Sequence, residues 1–135
     1  MRYLLDTNVC AMYMNGRSQA VRDRVLSTPT DEMAVCSVVK AELFYGAMRS
    51  NDPTRTLERQ QGFLNRFTSL PFDDEAALIF GRIRASLAAA GTPIGAYDLQ
   101  IAAIALSHNL TLITHNTAEF NRVNGLPLED WEIEA

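Results

Sequence analysis

The chain reads as an α/β protein of the three-layer α/β/α kind, with a central parallel sheet flanked by helices. Three observations predict this. Short apolar runs at 2–5, 33–36 and 110–113 are each followed by a segment with helical spacing. Those runs are apolar throughout instead of alternating, as strands covered on both faces are. Hydrophobic residues make up 47% of the 135 and charged residues 21%, enough apolar material for a core and too much for disorder. No repeat, low-complexity tract or linker divides the sequence, which predicts one domain over 1–135.

The first strand, Arg2 to Leu5, ends at Asp6, and Asp6 or Thr7 starts a helix that stops at Asn15-Gly16. Ser18 opens a second helix with Val21, Val25 and Leu26 on its apolar face, ended by Thr28-Pro29. Met33 to Cys36 is a second buried strand, and Ser37 is the expected cap of the helix after it. On that helix Val39, Leu43 and Ala47 share a face. Pro53 suits the first turn of another helix, expected to run to about Phe67 through Leu57, Phe63 and Leu64, and Leu70-Pro71-Phe72 is a strand-like connector. Asp73 and Asp74 open a helix through Ala76, Ile79, Phe80, Ile83 and Leu87, closed by Gly91. From Asp98 onward the sequence is apolar on nearly every side, which predicts a buried helix. Leu110 to Ile113 is a third strand, ending at Thr114.

In open parallel sheets ligands bind beyond the carboxyl ends of the strands. That rule selects Asp6, Ser37 and the Thr114-His115-Asn116 segment. Among the sixteen acids, Asp6, Glu42 and Asp98 stand in apolar surroundings. A desolvated carboxylate must protonate, pair or bind a cation. Three converging on one cleft repel one another unless a counter-charge joins them. A divalent cation supplies it, and an all-oxygen ligand set selects Mg²⁺ or Mn²⁺ over zinc. Plainer roles stay open at this point: Asp6 and Asp98 as helix caps, Glu42 on the solvated side of its helix, Ser37 and Thr114 as caps, His108 and His115 as surface residues.

Four motifs and a terminal segment lie in order along the chain. They are Leu4-Leu5-Asp6-Thr7-Asn8, Ser37-Val-Val-Lys-Ala-Glu42-Leu-Phe-Tyr-Gly46, Ile94-Gly95-Ala-Tyr-Asp98-Leu-Gln-Ile-Ala-Ala103, Thr114-His-Asn116-Thr-Ala-Glu-Phe120 and the closing Leu128-Glu-Asp-Trp131. Together they resemble the PIN-domain family, and within it the VapC-type toxin ribonucleases of type II toxin–antitoxin pairs. The resemblance implies a PIN-like sheet with acids gathered at its carboxyl edge. It carries Asp6, Glu42 and Asp98 over as the residues that hold Mg²⁺, with Mn²⁺ able to substitute. Asn116 takes the fourth catalytic position, where many family members have Asp. It further implies an RNA substrate, with a tRNA and the anticodon stem-loop of the initiator tRNA favoured. The implied partners are a VapB-type antitoxin and a second toxin copy, joined in a larger hetero-oligomer.

Net charge is −4, unevenly spread: residues 1–68 hold nine basic against seven acidic side chains, and residues 69–135 three against nine. Eleven of the twelve bases are arginine, whose planar fork suits phosphate, so the arginines at 17–24 and 49–66 are candidate phosphate contacts. Cys10 and Cys36 are far apart with no metal-ligand spacing, and read as reduced core thiols of a cytoplasmic protein. The N-terminal apolar run breaks at Asp6, which predicts no signal peptide, and no run reaches membrane-spanning length. A metal-dependent endoribonuclease is the expectation. The rivals are a PIN-like module that binds RNA without cutting it, a structural partner protein, and a phosphatase with Asp6 as nucleophile. The phosphatase would want a second acid where Asn8 stands.

Overall fold

The computed structural model describes residues 1–133. Five parallel strands form one sheet in the order β3-β2-β1-β4-β5. They are β1 (Tyr3–Leu5), β2 (Met33–Cys36), β3 (Thr68–Leu70), β4 (Thr111–Ile113) and β5 (Leu128–Glu129). Helices α1 (Thr7–Asn15) and α2 (Gln19–Ser27) connect β1 to β2, and α3 (Ser37–Met48) and α4 (Pro53–Leu64) connect β2 to β3. Then α5 (Asp74–Ala89) and α6 (Ala96–Ser107) carry the chain back across the sheet to β4, and the short α7 (Thr117–Phe120) leads to β5.

The three predicted strands are the inner ones, and they are apolar throughout because both faces are covered. Leu4, Leu5, Val35, Leu112 and Ile113 are all fully buried. In register, Leu4 pairs with Ala34 on one side and Leu112 on the other. The helix from the Asp98 region is buried as its composition predicts, with Ile101 to Ala105 inaccessible. Cys10 and Cys36 are free and buried, and burial pushes the Cys36 thiol up to about 11 and Cys10 well above its usual value. Thiols held protonated in this way are core packing.

Several boundaries differ from the sequence reading. The helix expected to reach Phe67 ends at Leu64, because Thr68 must be extended to pair with Ala34. Leu70 accordingly closes a strand instead of opening a connector. Ser37 is the first residue of α3, capped by Cys36 with no side-chain bond. Helix α6 starts at Ala96 after Gly95, which puts Asp98 inside its first turn and removes the cap role for that residue. Leu26, assigned to the apolar face of α2, is 60% exposed. The chain runs outward from β1 through β2 to β3 and then returns to β4 on the other side of β1. The reversal leaves a crevice at the carboxyl ends of β1 and β4, the position where such sheets bind ligands.

Candidate active site

Asp6 follows directly on β1 at this reversal. Its backbone N–H continues the ladder by donating to the Ile113 carbonyl at 3.1 Å, so it stands beside the end of β4. It also caps α1: Oδ1 accepts from the Val9 N–H at 2.8 Å. The side chain is 5% exposed. Burial pushes its pKa up to about 6 against the pull of the Thr114 hydroxyl and the Val9 N–H, and the charges of Asp98 and Glu132 push the same way.

Asp98 lies in the first turn of α6, where a helix N-terminus favours a carboxylate by about 0.3–1 kcal/mol. Burial and the charges of Glu119 and Glu42 outweigh that, and its pKa also rises to about 6. Glu42, on α3, accepts a hydrogen bond at Oε1 from the Thr7 hydroxyl at 2.8 Å, which ties the start of α1 to α3. Asn116 follows β4. Its side-chain Nδ2 donates to Glu119 Oε2 at 2.9 Å, and its backbone N–H donates to the Thr114 hydroxyl at 3.0 Å.

All four sequence-selected residues therefore sit at one sheet edge, and two partners join them. Glu119 is half-buried, holds Asn116, and accepts from the Gly95 N–H at 3.3 Å, linking α7 to the entry of α6. Thr7 orients Glu42. The spacing Asn116-x-x-Glu119 is the signal available for Glu119, since it matches a helix capping box. Here the two side chains bond each other instead of the backbone.

No arginine, lysine or histidine among the described residues forms a salt bridge with Asp6, Glu42, Asp98 or Glu119. Four acids with raised or crowded charge and only oxygen donors suit a hard divalent cation. No three of these carboxylates offer oxygens within 4.8 Å of one another, so an ion held here would not be gripped directly by three of them as the side chains stand. Among the described residues the tight group of that size is His115, Asp130 and Glu132. His115 is exposed, as the sequence predicts, and its Nδ1 lies 2.9 Å from Asp130 and 3.4 Å from Glu132. The Asp130 hydrogen bond and then the Glu132 charge raise its pKa.

The candidate phosphate contacts divide. Arg24 lies 3.3 Å from Glu129 and 4.7 Å over the Trp131 ring, Arg22 covers Tyr13, and Arg66 covers Phe63 and Phe67. Arg17, Arg55 and Arg59 are exposed and outside every ion pair among the described residues. Of the C-terminal acids, Glu134 lies outside the described residues.

The pattern of the PIN domain matches residues 3–126, nearly the whole described chain. The chain belongs to the PIN-domain family. This PIN domain is 40% identical over 131 residues to the tRNA(fMet)-specific endonuclease VapC of Salmonella typhimurium, covering 97% of this chain and 98% of that protein. It is 37% identical over 131 residues to Ribonuclease VapC2 of Haemophilus influenzae, with the same shares covered. Among solved structures it superimposes on the DNA-bound VapBC crystal structure from Salmonella typhimurium with a TM-score of 0.91 at 40% identity, covering 97% of this chain and 98% of that one. VapBC-1 from nontypeable Haemophilus influenzae gives 0.89 at 34%, covering 98% and 100%.

Proposed function

We propose that this PIN domain is the toxin of a VapBC-type toxin–antitoxin pair, a Mg²⁺-dependent endoribonuclease that hydrolyses a phosphodiester bond of a tRNA. The observation that carries the reading is the acid cluster at the β1–β4 reversal, which has no basic partner among the described residues. The identity of 40% to a tRNA(fMet)-specific endonuclease supports initiator tRNA as the substrate. The VapBC neighbours support a VapB-type antitoxin as partner, and the resemblance to the family adds a toxin homodimer within a larger complex to the reading. No helix among the described residues is long and apolar enough to cross a membrane; a tRNA substrate, in this reading, would be met in the cytoplasm.

In this reading Asp6 and Asp98 would hold the cation and Glu42 would complete the site, directly or through water. When bound, Mg²⁺ supplies Lewis acidity, making a water more acidic and offsetting charge on the leaving oxygen. The chain's own work is positioning. The Val9 N–H orients the Asp6 carboxylate, the Thr114 hydroxyl favours its charged form, and the Thr7 hydroxyl orients Glu42. Asn116 offers a neutral amide at the fourth position, held by Glu119. Neither hydroxyl nor amide adds charge, so the site keeps its capacity for a cation. Hydrolysis of this kind does not use the RNA 2′-OH and leaves a 5′-phosphate and a 3′-hydroxyl.

The test is cleavage of initiator tRNA by purified protein in Mg²⁺, with end-group analysis of the products. Cleavage that disappears in EDTA and returns with Mg²⁺ or Mn²⁺ is expected. Full cleavage by chelated protein, or products ending in cyclic phosphate, would overturn the proposal.

A further inference from the structure

Beside the acid cluster, a cavity of about 330 Å³ is lined by Val38, Ala41, Glu42, Tyr45 and Tyr97. Its position follows from helix periodicity. Val38, Ala41, Glu42 and Tyr45 repeat at three- and four-residue steps and so share one side of α3. Tyr97 comes from the first turn of α6, directly before Asp98. Each tyrosine is thus a short step from a candidate metal ligand, Tyr45 one turn past Glu42 and Tyr97 adjacent to Asp98. Both are conspicuously uncovered, at 64% and 63% exposure, whereas the other two tyrosines, Tyr3 and Tyr13, pack against Trp131 and Phe63.

We propose that Tyr45 and Tyr97 form a base-binding subsite, in which an unpaired RNA base next to the scissile phosphate enters this cavity and stacks on their rings. The inference rests on the ribonuclease reading and deepens it. The physical problem it answers is electrostatic. Phosphates are repelled by Asp6, Glu42, Asp98 and Glu119, and an arginine placed among those acids would neutralise the site that a cation needs. Aromatic stacking holds a nucleotide there without adding charge, and every base has a face to offer. Single-stranded loops are where RNA bases are free to be splayed out and stacked. Arg49, exposed and 5.3 Å from the Tyr45 ring centre, adds positive charge next to the subsite. A protein surface would also bury two exposed tyrosines. A concave site that shares Glu42 with the acid cluster fits a nucleotide better.

The test is equilibrium binding of a fluorescein-labelled RNA hairpin with a single-stranded loop, measured by anisotropy in EDTA and beside cleavage in Mg²⁺. Tyr45→Ala and Tyr97→Ala should each weaken binding by about 5- to 150-fold, the range for one stacked base. Tyr45→Phe and Tyr97→Phe, which keep the rings, should bind like the parent. Hairpins carrying an abasic ribose at one loop position at a time locate the base: at one position the parent should lose the same factor, and the Ala variants should lose nothing further. Losses that multiply at every position would overturn the subsite. So would unchanged binding with a lower assembly mass in sedimentation, which would assign the tyrosines to a protein interface. A parent that neither binds nor cuts RNA overturns the ribonuclease reading and the subsite together. A parent that cuts RNA, with Ala variants equal to it, overturns the subsite alone.

Discussion

Asp6 carries two duties that pull in opposite directions. As an N-cap it satisfies the Val9 N–H, worth on the order of 1 kcal/mol. As a buried carboxylate beside Asp98 it is costly to ionise, and burial pushes its pKa up to about 6, above the usual carboxylate range. The sign follows from linkage. A carboxyl that binds its proton more tightly when folded stabilises the protein below its unfolded pKa, and this stability is lost as pH rises through about 6. In chelator, therefore, the parent should melt higher at pH 5 than at pH 7. Asp6→Asn keeps the cap, because Asn caps as well as Asp, and removes the charge. It should shrink that pH difference to the share contributed by Asp98, whose pKa is also raised to about 6, and melt no lower than the parent at pH 7. Cleavage in Mg²⁺ should fall at least ~10²-fold, the scale of losing one group that stabilises transition-state charge. A collapsed melting temperature in scanning calorimetry would show that Asp6 serves the fold alone.

At the scale of elements, short strands and turns position the site's outer half. Helix α7 is four residues long and depends on the tie between Asn116 and Glu119. Asn116→Asp replaces a donor by a second carboxylate facing Glu119. The variant should be less stable than the parent in EDTA and should bind Mg²⁺ more tightly, since it adds a charged oxygen ligand. Paired thermal melts and calorimetric titrations check both, and identical curves would reduce Asn116 to a turn residue. Strand β5 is only two residues long and is held from outside the sheet. Trp131 is fully buried, packs edge-on against Tyr3 at 5.2 Å and donates from Nε1 to Glu129 at 3.1 Å, while Arg24 closes the group from α2. Trp131→Ala should cost about 3–5 kcal/mol in urea unfolding, as large aromatic truncations do. A loss below ~1 kcal/mol would mean that β5 is a passive edge.

For the whole molecule, charge is the organising quantity. The chain is net −4 and concentrates four acids at one crevice, so the folded state stores repulsion that a cation relieves. Ligand linkage then makes stability depend on metal: at a hundredfold excess over the dissociation constant, a bound ion adds about 2.7 kcal/mol. The melting temperature should rise on titration with Mg²⁺ or Mn²⁺, and the rise should be largely absent in Asp98→Asn. An Asp98→Asn protein that shifts as much as the parent would place the cation elsewhere, with the His115, Asp130 and Glu132 group as the alternative location.

What the sequence determined by itself was whatever composition within one segment controls. The inner strands at Leu4-Leu5, Val35 and Leu112-Ile113 were legible because strands covered on both faces must be apolar throughout. The buried α6 was legible for the same reason. Asp6, Glu42 and Asp98 stood out because carboxylates in apolar runs need a reason, and the PIN-domain motifs around them agreed. The tertiary structure decided everything that depends on which segments meet. β3 and β5 have partly exposed residues and no pattern of their own, and they are strands only because β2 and β4 offer them a ladder. Glu119 belongs to the site through Asn116 and Gly95, residues 3 and 24 positions away along the chain. Arg24, a candidate phosphate contact by sequence, also meets Glu129 and Trp131, more than a hundred residues later, which the sequence does not reveal. A side chain's neighbours across the sheet leave no periodic trace in the chain, because burial selects for apolarity within a segment while pairing depends on where the chain returns.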